Sequence, residues 1–249
     1  MRLPVSGLRV WFQAKQIGRR RGHMVNIALI VAAGRGYRLG GALPKQYLPL
    51  GGLPILRHTI EALAAHKNIH AVQVLIHPDD TQLYNDAVAG LDKLCPVLFG
   101  GAQRQDSVRL GLEGVAGLKP ATVLIHDAVR PFIAGHTISA VLEALSRRPA
   151  AIVGVPLADT LKRVDDGVVT GTVDRAGLWR AQTPQGFRYA DILKAHRYAV
   201  QSAPETDFTD DAMIAEHAGL RVEMVLGTED NFKITTAADL ARAEFLLKL

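Results

Sequence analysis

The sequence predicts an α/β fold: a Rossmann-like, mostly parallel twisted sheet with helices on both faces and a protruding β-hairpin. Short unbroken apolar runs alternate with segments of helical spacing from residue 25 to about residue 156. Parallel strands that are buried on both faces have such runs, and each needs a crossover helix to reach the next strand. A chain of 249 residues with 48% apolar side chains can also bury a sizeable core in one domain.

The elements follow one another in a regular order. The predicted strands are 25–32, 71–77, 95–100, 121–127, 150–156 and 221–227. The predicted helices are 54–66, 78–90, 102–115, 135–148, about 189–200, about 209–219 and one from about 236. Apolar residues recur at helical spacing in 54–66, and Pro78 followed by two acids marks a helix start. Thr236 and Asp239 form a capping-box pattern at the last helix.

Residues 157–175, which we call the arm, interrupt this order. Asp166-Gly167 is a hairpin turn signal between two half-polar, alternating runs. A lone two-stranded hairpin has no core of its own. We therefore expect the arm to pack on something else, most economically on a second copy of the chain in a homodimer.

The charge is unevenly distributed. The chain carries a formal +5, but residues 1–23 hold six cations and no acid, which leaves 23 cations against 24 acids in the remainder. The basicity is only weak support for nucleic-acid binding, because it belongs to a predicted N-terminal extension (1–23) and not to the domain (24–249). The chain has no membrane-length apolar run and a single cysteine, Cys95, which we interpret as a buried apolar residue. We expect a cytoplasmic protein with no membrane or nucleic-acid partner.

The glycine-rich segment is residues 31–47, VAAGRGYRLGGALPKQY, directly after the first strand. Ligands of parallel α/β folds bind at this edge of the sheet, and glycine N–H groups can surround an anion. The segment lacks the GK[ST] of a P-loop and the spacing and ribose-binding acid of a dinucleotide site, which argues against a nicotinamide oxidoreductase. Arg38 and Lys45 within it suit phosphate oxygens.

Other polar groups fall at strand ends or in the arm. Arg104 and Ser107 lie at a predicted helix start, and Asp127 ends a strand where it suits a ribose hydroxyl, a Mg²⁺ ion or simply a turn. Arg175 lies in the arm, and Lys233 precedes the last helix. The candidate site is thus rich in cations and has no convincing nucleophile or base; for His126 we favour packing or hydrogen bonding.

A base-free cationic site fits one reaction class well. An attacking phosphate is largely dianionic at neutral pH, because its second pKa is about 6, and needs no base. It needs alignment and neutralisation of the charge that grows on the acceptor phosphorus and on the leaving pyrophosphate. That is nucleotidyl transfer from a nucleoside triphosphate to a sugar phosphate, with Mg²⁺ sharing the neutralisation. A nucleotide-binding module without catalysis would not need so many separate cations.

Seven ordered motifs carry a specific resemblance: AAGRGYRL…PKQY, GGAQRQDSV, HDAVRPF, DTLKR, TVDRAGLW, QTPQGF and DNFKITTAADL. Together, over about residues 25–249, they resemble the IspD family, the 2-C-methyl-D-erythritol 4-phosphate cytidylyltransferases of isoprenoid biosynthesis. The resemblance implies attack of the acceptor phosphate on the α-phosphate of CTP, with pyrophosphate released and Mg²⁺ as cofactor. An alternative acceptor is ribitol 5-phosphate or another pentitol phosphate.

The resemblance also implies roles. Arg38 and Lys45 match the pair that stabilises the pentacoordinate α-phosphate, and Arg175 and Lys233 the pair that positions the acceptor phosphate. The matches to substrate-binding positions are Ala32, Ala33, Gly34, Gly101, Arg104 and Ser107 around cytosine and ribose, Asp127 and Ala128 near ribose and metal, and Thr160, Thr183 and Thr209 near the acceptor pocket. The arm matches the family's dimerisation arm. Some members carry a downstream cyclodiphosphate synthase domain, which we do not expect in this sequence.

Overall fold

The strands build one large sheet and two small ones. The computed structural model describes residues 24–35 and 43–248, so the predicted extension (1–23) and Arg38 lie outside the described residues. The strands are β1 (Asn26–Ala32), β2 (Pro49–Leu50), β3 (Leu53–Pro54), β4 (Ala71–Ile76), β5 (Leu98–Phe99), β6 (Thr122–Asp127), β7 (Ala150–Pro156), β8 (Leu161–Asp165), β9 (Val168–Val173), β10 (Trp179–Arg188) and β11 (Val222–Leu226).

The α-helices connect these strands. They are α1 (Ile55–Ala64), α2 (Thr81–Ala87), α3 (Arg104–Gly114), α4 (Gly135–Arg147), α5 (Tyr189–Ser202), α6 (Asp211–His217) and α7 (Ala237–Leu246). The helix expected over 78–90 is shorter: a 3₁₀ turn, Pro78–Asp80, precedes α2. The capping box expected at Thr236 is present, since Asp239 N–H donates to the Thr236 hydroxyl and the Asp239 carboxylate accepts from Thr236 N–H.

The large sheet has the strand order β11-β7-β10-β6-β1-β4-β5. Every neighbouring pair in it is parallel except those of β10, which runs antiparallel to both β6 and β7. The expectation of a mostly parallel sheet is therefore confirmed. The parallel strands bring the carboxyl ends of β1, β4, β5 and β6 to one edge of the sheet, where polar loops meet.

The core lies on both faces of the sheet, as predicted. Alternate residues of β1 point in opposite directions, so Ile30 packs in the layer that α1 and α4 cover, and Leu29 in the layer of α3 and α5. Gly111 lets α3 approach closely: a Cβ there would lie 2.6 Å from Leu29 Cδ1. Cys95 is 3% exposed, as expected of a buried apolar residue.

The arm forms its own two-stranded antiparallel sheet from β8 and β9. Asp166 and Gly167 have φ of 44° and 77°, the left-handed conformations that a tight hairpin turn requires. Val164, Val168 and Val169 are all more than half exposed, so the arm has no core within this chain. In the part of the chain that the structure describes, no helix is long and apolar enough to cross a membrane.

Candidate active site

A cavity of about 220 Å³ lies at the carboxyl edge of the large sheet, beside the ends of β1 and β6. The sheet topology explains which residues line the cavity, because the ends of the parallel strands and the start of α3 meet there. The sequence-predicted residues that line it are Ala32, Ala33, Gly34, Lys45, Gly101, Arg104, Ser107, Asp127, Ala128 and Lys233.

The cavity is electropositive. Of the residues that the structure describes, three cations, Lys45, Arg104 and Lys233, line it together with a single carboxylate, Asp127. Among the described residues of its lining there is no histidine or cysteine. Such a cavity suits an anionic ligand and offers no obvious general base.

Gln46 links the two ends of the glycine-rich segment by hydrogen bonds. Its side chain is buried, and its amide Nε2 donates to the carbonyl oxygens of Ala32 at 2.8 Å and Gly34 at 3.2 Å. The two ends of the segment are thereby held together, with Lys45 next to this clasp at the start of a 3₁₀ turn. Arg35 adds a second anchor, since its guanidinium donates to both Asp79 and Asp80.

The start of α3 forms a second wall. The Ser107 hydroxyl accepts from Gly101 N–H at 3.0 Å and donates to the Gln103 carbonyl at 3.1 Å. This hydroxyl shapes the loop backbone and is not poised as a nucleophile. Arg104 is held from behind by Asp211, a fully buried carboxylate 2.7 Å from the guanidinium.

Asp211 is the fixed counter-charge of that wall. It begins α6, and the His196 imidazole lies 3.2 Å from its other oxygen. Burial alone would raise the pKa of Asp211, but Arg104 and the hydrogen bond with His196 outweigh burial and hold this pKa below its usual range. The carboxylate therefore stays charged and holds Arg104 at the cavity.

Asp127 lies at the end of β6 between two cations. Lys233 Nζ and Arg130 Nε each lie 3.1 Å from the same oxygen, Oδ2. Burial alone would raise the pKa of Asp127, but Lys233 and Arg130 outweigh it and hold the pKa well below the usual range. The pair of cations thus keeps a buried carboxylate ionised at the floor of the cavity.

These two carboxylates make stability depend on pH. Because the folded pKa of each is depressed, the stabilisation is present above their unfolded pKa of about 4 and is lost as the pH falls below it. We expect the free energy of unfolding, measured by urea titration, to decline between about pH 5 and pH 3. The decline should be shallower in Asp127→Asn than in the unchanged protein; an equal slope in both would contradict the assigned pKa direction.

A family comparison agrees with this geometry. The model of the family described as 2-C-methyl-D-erythritol 4-phosphate cytidylyltransferase, IspD, matches residues 26–249. The chain belongs to this family. The match covers all the strands and helices described above, the arm included.

Relatives and solved IspD structures agree. The bifunctional IspD/IspF enzyme of Paramagnetospirillum magneticum is 59% identical over 220 residues, 88% of this chain and 56% of that protein. That of Rhodospirillum rubrum is 56% identical over 221 residues, 89% of this chain and 56% of that protein. The chain thus spans about half the length of these curated relatives. The cytidylyltransferase structure from Thermus thermophilus is 34% identical with a TM-score of 0.73, covering 91% of this chain and 100% of that one.

Another solved structure is more similar to this chain in backbone conformation than the Thermus thermophilus enzyme, although its sequence identity is lower. The 4-diphosphocytidyl-2C-methyl-D-erythritol synthase of Anaerococcus prevotii is 29% identical with a TM-score of 0.78. The alignment covers 91% of this chain and 99% of that one. An IspD-type domain therefore accounts for nearly the whole described structure.

The remaining predicted site residues lie elsewhere in this IspD chain. Thr160, Arg175 and Thr209 are exposed and do not line the cavity. The Arg175 guanidinium donates to the Ala158 carbonyl within the arm. Thr183 is 5% exposed and lies behind Asp127, whose N–H donates to its hydroxyl at 3.0 Å. Thr183 therefore contacts the backbone of Asp127, and its expected place near the acceptor pocket stays a prediction.

Three supporting residues had no role assigned from the sequence. Gln46 stands in PKQY, Arg130 in HDAVRP and Asp211 in the pair that follows Thr209. The sequence feature that could have identified them is their position next to, or within three residues of, candidate site residues. Each of them has a partner at least 14 positions away, Ala32 for Gln46, Asn231 for Arg130 and Arg104 for Asp211, which spacing alone does not reveal.

Proposed function

We propose that this chain transfers a cytidylyl group from CTP to 2-C-methyl-D-erythritol 4-phosphate. The observation that carries the proposal is the cavity at the sheet edge: Lys45, Arg104 and Lys233 line it around one carboxylate. This arrangement favours a nucleoside triphosphate and a phosphorylated acceptor, whose reaction needs charge neutralisation more than proton transfer. Membership of the IspD family supports the identity of the acceptor.

The chemistry is an in-line displacement at phosphorus. An oxygen of the acceptor phosphate bonds to the α-phosphorus of CTP while the bond from that phosphorus to the bridging oxygen of pyrophosphate breaks. The products are 4-diphosphocytidyl-2-C-methyl-D-erythritol and pyrophosphate. No proton has to be removed from the nucleophile, because the phosphate arrives largely ionised.

The cations have two separate roles. Lys45, with Arg38, neutralises the negative charge that grows around the α-phosphorus. Lys233, with Arg175, holds the acceptor phosphate in line with the bond that breaks. Ala33, Gly34 and Gly101, which precedes α3, line the part of the cavity assigned to the nucleotide, and Arg104 adds charge at that wall.

Asp127 suits a supporting role toward Mg²⁺. No cluster of three or more metal-ligating side chains occurs in residues 24–35 and 43–248. One carboxylate facing the cavity fits a cation that phosphate oxygens hold for the most part. Mg²⁺ bound there would supply additional neutralisation of phosphate charge, and Asp127 is the residue that would hold it.

We also propose a cytoplasmic homodimer joined through the arm. The buried, unpaired Cys95 supports a reducing compartment. The exposed valines of the arm support an interface, and the exposed Arg175 could then serve the partner's cavity.

Mixed dimers test where Arg175 acts. Purified dimers of one Lys45→Ala chain and one Arg175→Ala chain should have about half of the unchanged activity, because one of the two sites is intact if arms are exchanged. Each homodimeric variant is the matched control and should be nearly inactive. A mixed dimer as inactive as the two controls would show that each arm serves its own chain.

The activity itself is tested by pyrophosphate release from CTP. We expect release with 2-C-methyl-D-erythritol 4-phosphate and little with ribitol 5-phosphate at equal concentration. Release with ribitol 5-phosphate alone would overturn the proposed acceptor. CTP binding without release from either acceptor would instead indicate a nucleotide-binding module.

A further inference from the structure

His126 is fully buried in β6, one residue before Asp127, and does not line the cavity. Both of its ring nitrogens have partners. Nε2 lies 3.0 Å from the Arg130 carbonyl oxygen, and Nδ1 lies 3.0 Å from the Thr183 hydroxyl. Both partners are uncharged, a backbone carbonyl and a hydroxyl, and together they suit a neutral ring with one donor and one acceptor.

The partners determine the direction of each hydrogen bond. A carbonyl oxygen only accepts, so Nε2 carries the proton and donates to Arg130. In a neutral ring Nδ1 must then accept, and the Thr183 hydroxyl donates to it. The oxygen of that hydroxyl in turn accepts the N–H of Asp127 at 3.0 Å.

These bonds close a circuit around Asp127. Arg130, which accepts from His126 through its carbonyl, donates through Nε to Asp127 Oδ2 at 3.1 Å. The backbone and the carboxylate of Asp127 are thus held from opposite sides. His126 is the member that joins the Thr183 half of the circuit to the Arg130 half.

A second set of bonds extends the circuit to the Lys233 segment. Arg130 Nη1 donates to the Asn231 carbonyl at 2.7 Å, and the buried Asn231 amide donates to the Thr183 carbonyl at 2.7 Å. Lys233 follows two residues later and contacts Asp127. The placement of Arg130 therefore affects both charged groups of this side of the cavity.

We infer that His126 is a positioning residue for the proposed transfer: through Thr183 and Arg130 it fixes Asp127 and Lys233 without touching substrate. The inference rests on the proposed function for its kinetic test. The residue type is required because imidazole offers one donor and one acceptor on opposite sides of a rigid ring.

Two substitutions separate the halves of the circuit. His126→Asn places an acceptor near the Nδ1 position and loses the donor to Arg130, whereas His126→Gln places a donor near Nε2 and loses the acceptor. We expect each to lower kcat by ~10–100-fold, the usual cost of losing a group that orients a functional side chain. The KM for CTP should change much less, because the nucleotide wall at α3 has separate supports.

Thr183 provides an independent pair of variants. Thr183→Val removes the hydroxyl with little change in shape and should lower kcat to a similar degree; Thr183→Ser should recover most of that loss. The matched control is Thr122→Val, which removes a buried hydroxyl that donates to Asn26 Oδ1 at 2.8 Å, at the opposite end of β6. That control should lower the melting temperature and leave kcat unchanged.

A spectroscopic readout tests the circuit without activity. In ¹⁵N-histidine-labelled full-length protein at pH 7, we expect His126 as the Nε2–H tautomer, with an Nδ1 resonance that shifts in Thr183→Val. An Nδ1–H tautomer would overturn the inference. Folded His126 and Thr183 variants with kcat close to that of Thr122→Val would overturn it too. An inactive unchanged protein that shows the Nε2–H tautomer would contradict the proposed function and support the circuit.

Discussion

Replacing Lys45 by alanine is expected to lower kcat by at least ~100-fold, because a cation aimed at developing charge in the transition state is worth that much. Lys45 lines the cavity and is held there by its neighbour Gln46, whose buried amide clasps the two ends of the glycine-rich segment. The KM for CTP should rise less than kcat falls, since the proposed nucleotide contacts of Arg104 and the loop backbone remain.

The measurement is steady-state pyrophosphate release with CTP and acceptor varied separately. Lys67→Ala, an exposed lysine after α1 that does not line the cavity, is the matched control and should behave like the unchanged protein. Arg38→Ala should resemble Lys45→Ala in kcat. A Lys45→Ala enzyme with near-normal kcat and a much higher KM for CTP would show that Lys45 contributes to ground-state binding alone.

Substituting Asp127 by asparagine is expected to damage both activity and stability. The neutral side chain leaves Arg130, which is 11% exposed, without its counter-charge and releases Lys233. Loss of one partner of a buried ion pair costs about 3 kcal/mol. For a domain of this size that corresponds to a melting temperature lower by roughly 6–12 °C.

The activity should fall by ~100-fold in Asp127→Asn, because Lys233 loses its fixed position and the site loses its one carboxylate. Thermal unfolding and pyrophosphate release at 20 °C would measure the two effects separately. Asp92→Asn, at an exposed aspartate that does not line the cavity, is the control for removing one negative charge. A melting temperature equal to that of this control would contradict the ion-pair assignment.

The parallel part of the sheet could be predicted because its signal is local. The strands expected at 25–32, 71–77 and 121–127 are confirmed, since a strand buried on both faces must be continuously apolar. The hairpin at Asp166-Gly167 is confirmed for the same kind of reason, because a tight turn restricts its own residues. The strand expected over 95–100 is reduced to Leu98–Phe99 at the sheet edge.

The central antiparallel strand β10 could not be predicted from such signals. Its sequence QTPQGF contains a proline, a glycine and three polar side chains, which argue against a buried strand. In the structure, the polar side chains of this buried strand are satisfied by hydrogen bonds to residues that are far away in the sequence. Gln182 and Thr183 bond to the Asn231 segment, and Gln185 accepts the N–H groups of Asp211 and Ala212 at the start of α6.

The same limit applies to the candidate site. Motif order and strand ends predicted the residues that line the cavity, because parallel topology brings strand ends together. The burial of Thr183 was not predictable, since it depends on a ring nitrogen 57 positions earlier in the chain. The roles assigned to the site residues, those that line the cavity as well as Arg38, Arg175, Thr160 and Thr209, stay predictions.

The valines of the arm impose a second requirement on its sequence. An exposed β-ribbon with apolar side chains is a template on which other chains can add strands and aggregate. In the arm, Lys162, Arg163, Asp165 and Asp166 stand between or beside the valines, and charges in these positions oppose such stacking. The composition of the arm therefore meets two requirements: its exposed apolar side chains suit the proposed interface between two chains, and its charges oppose aggregation of chains that have not yet paired.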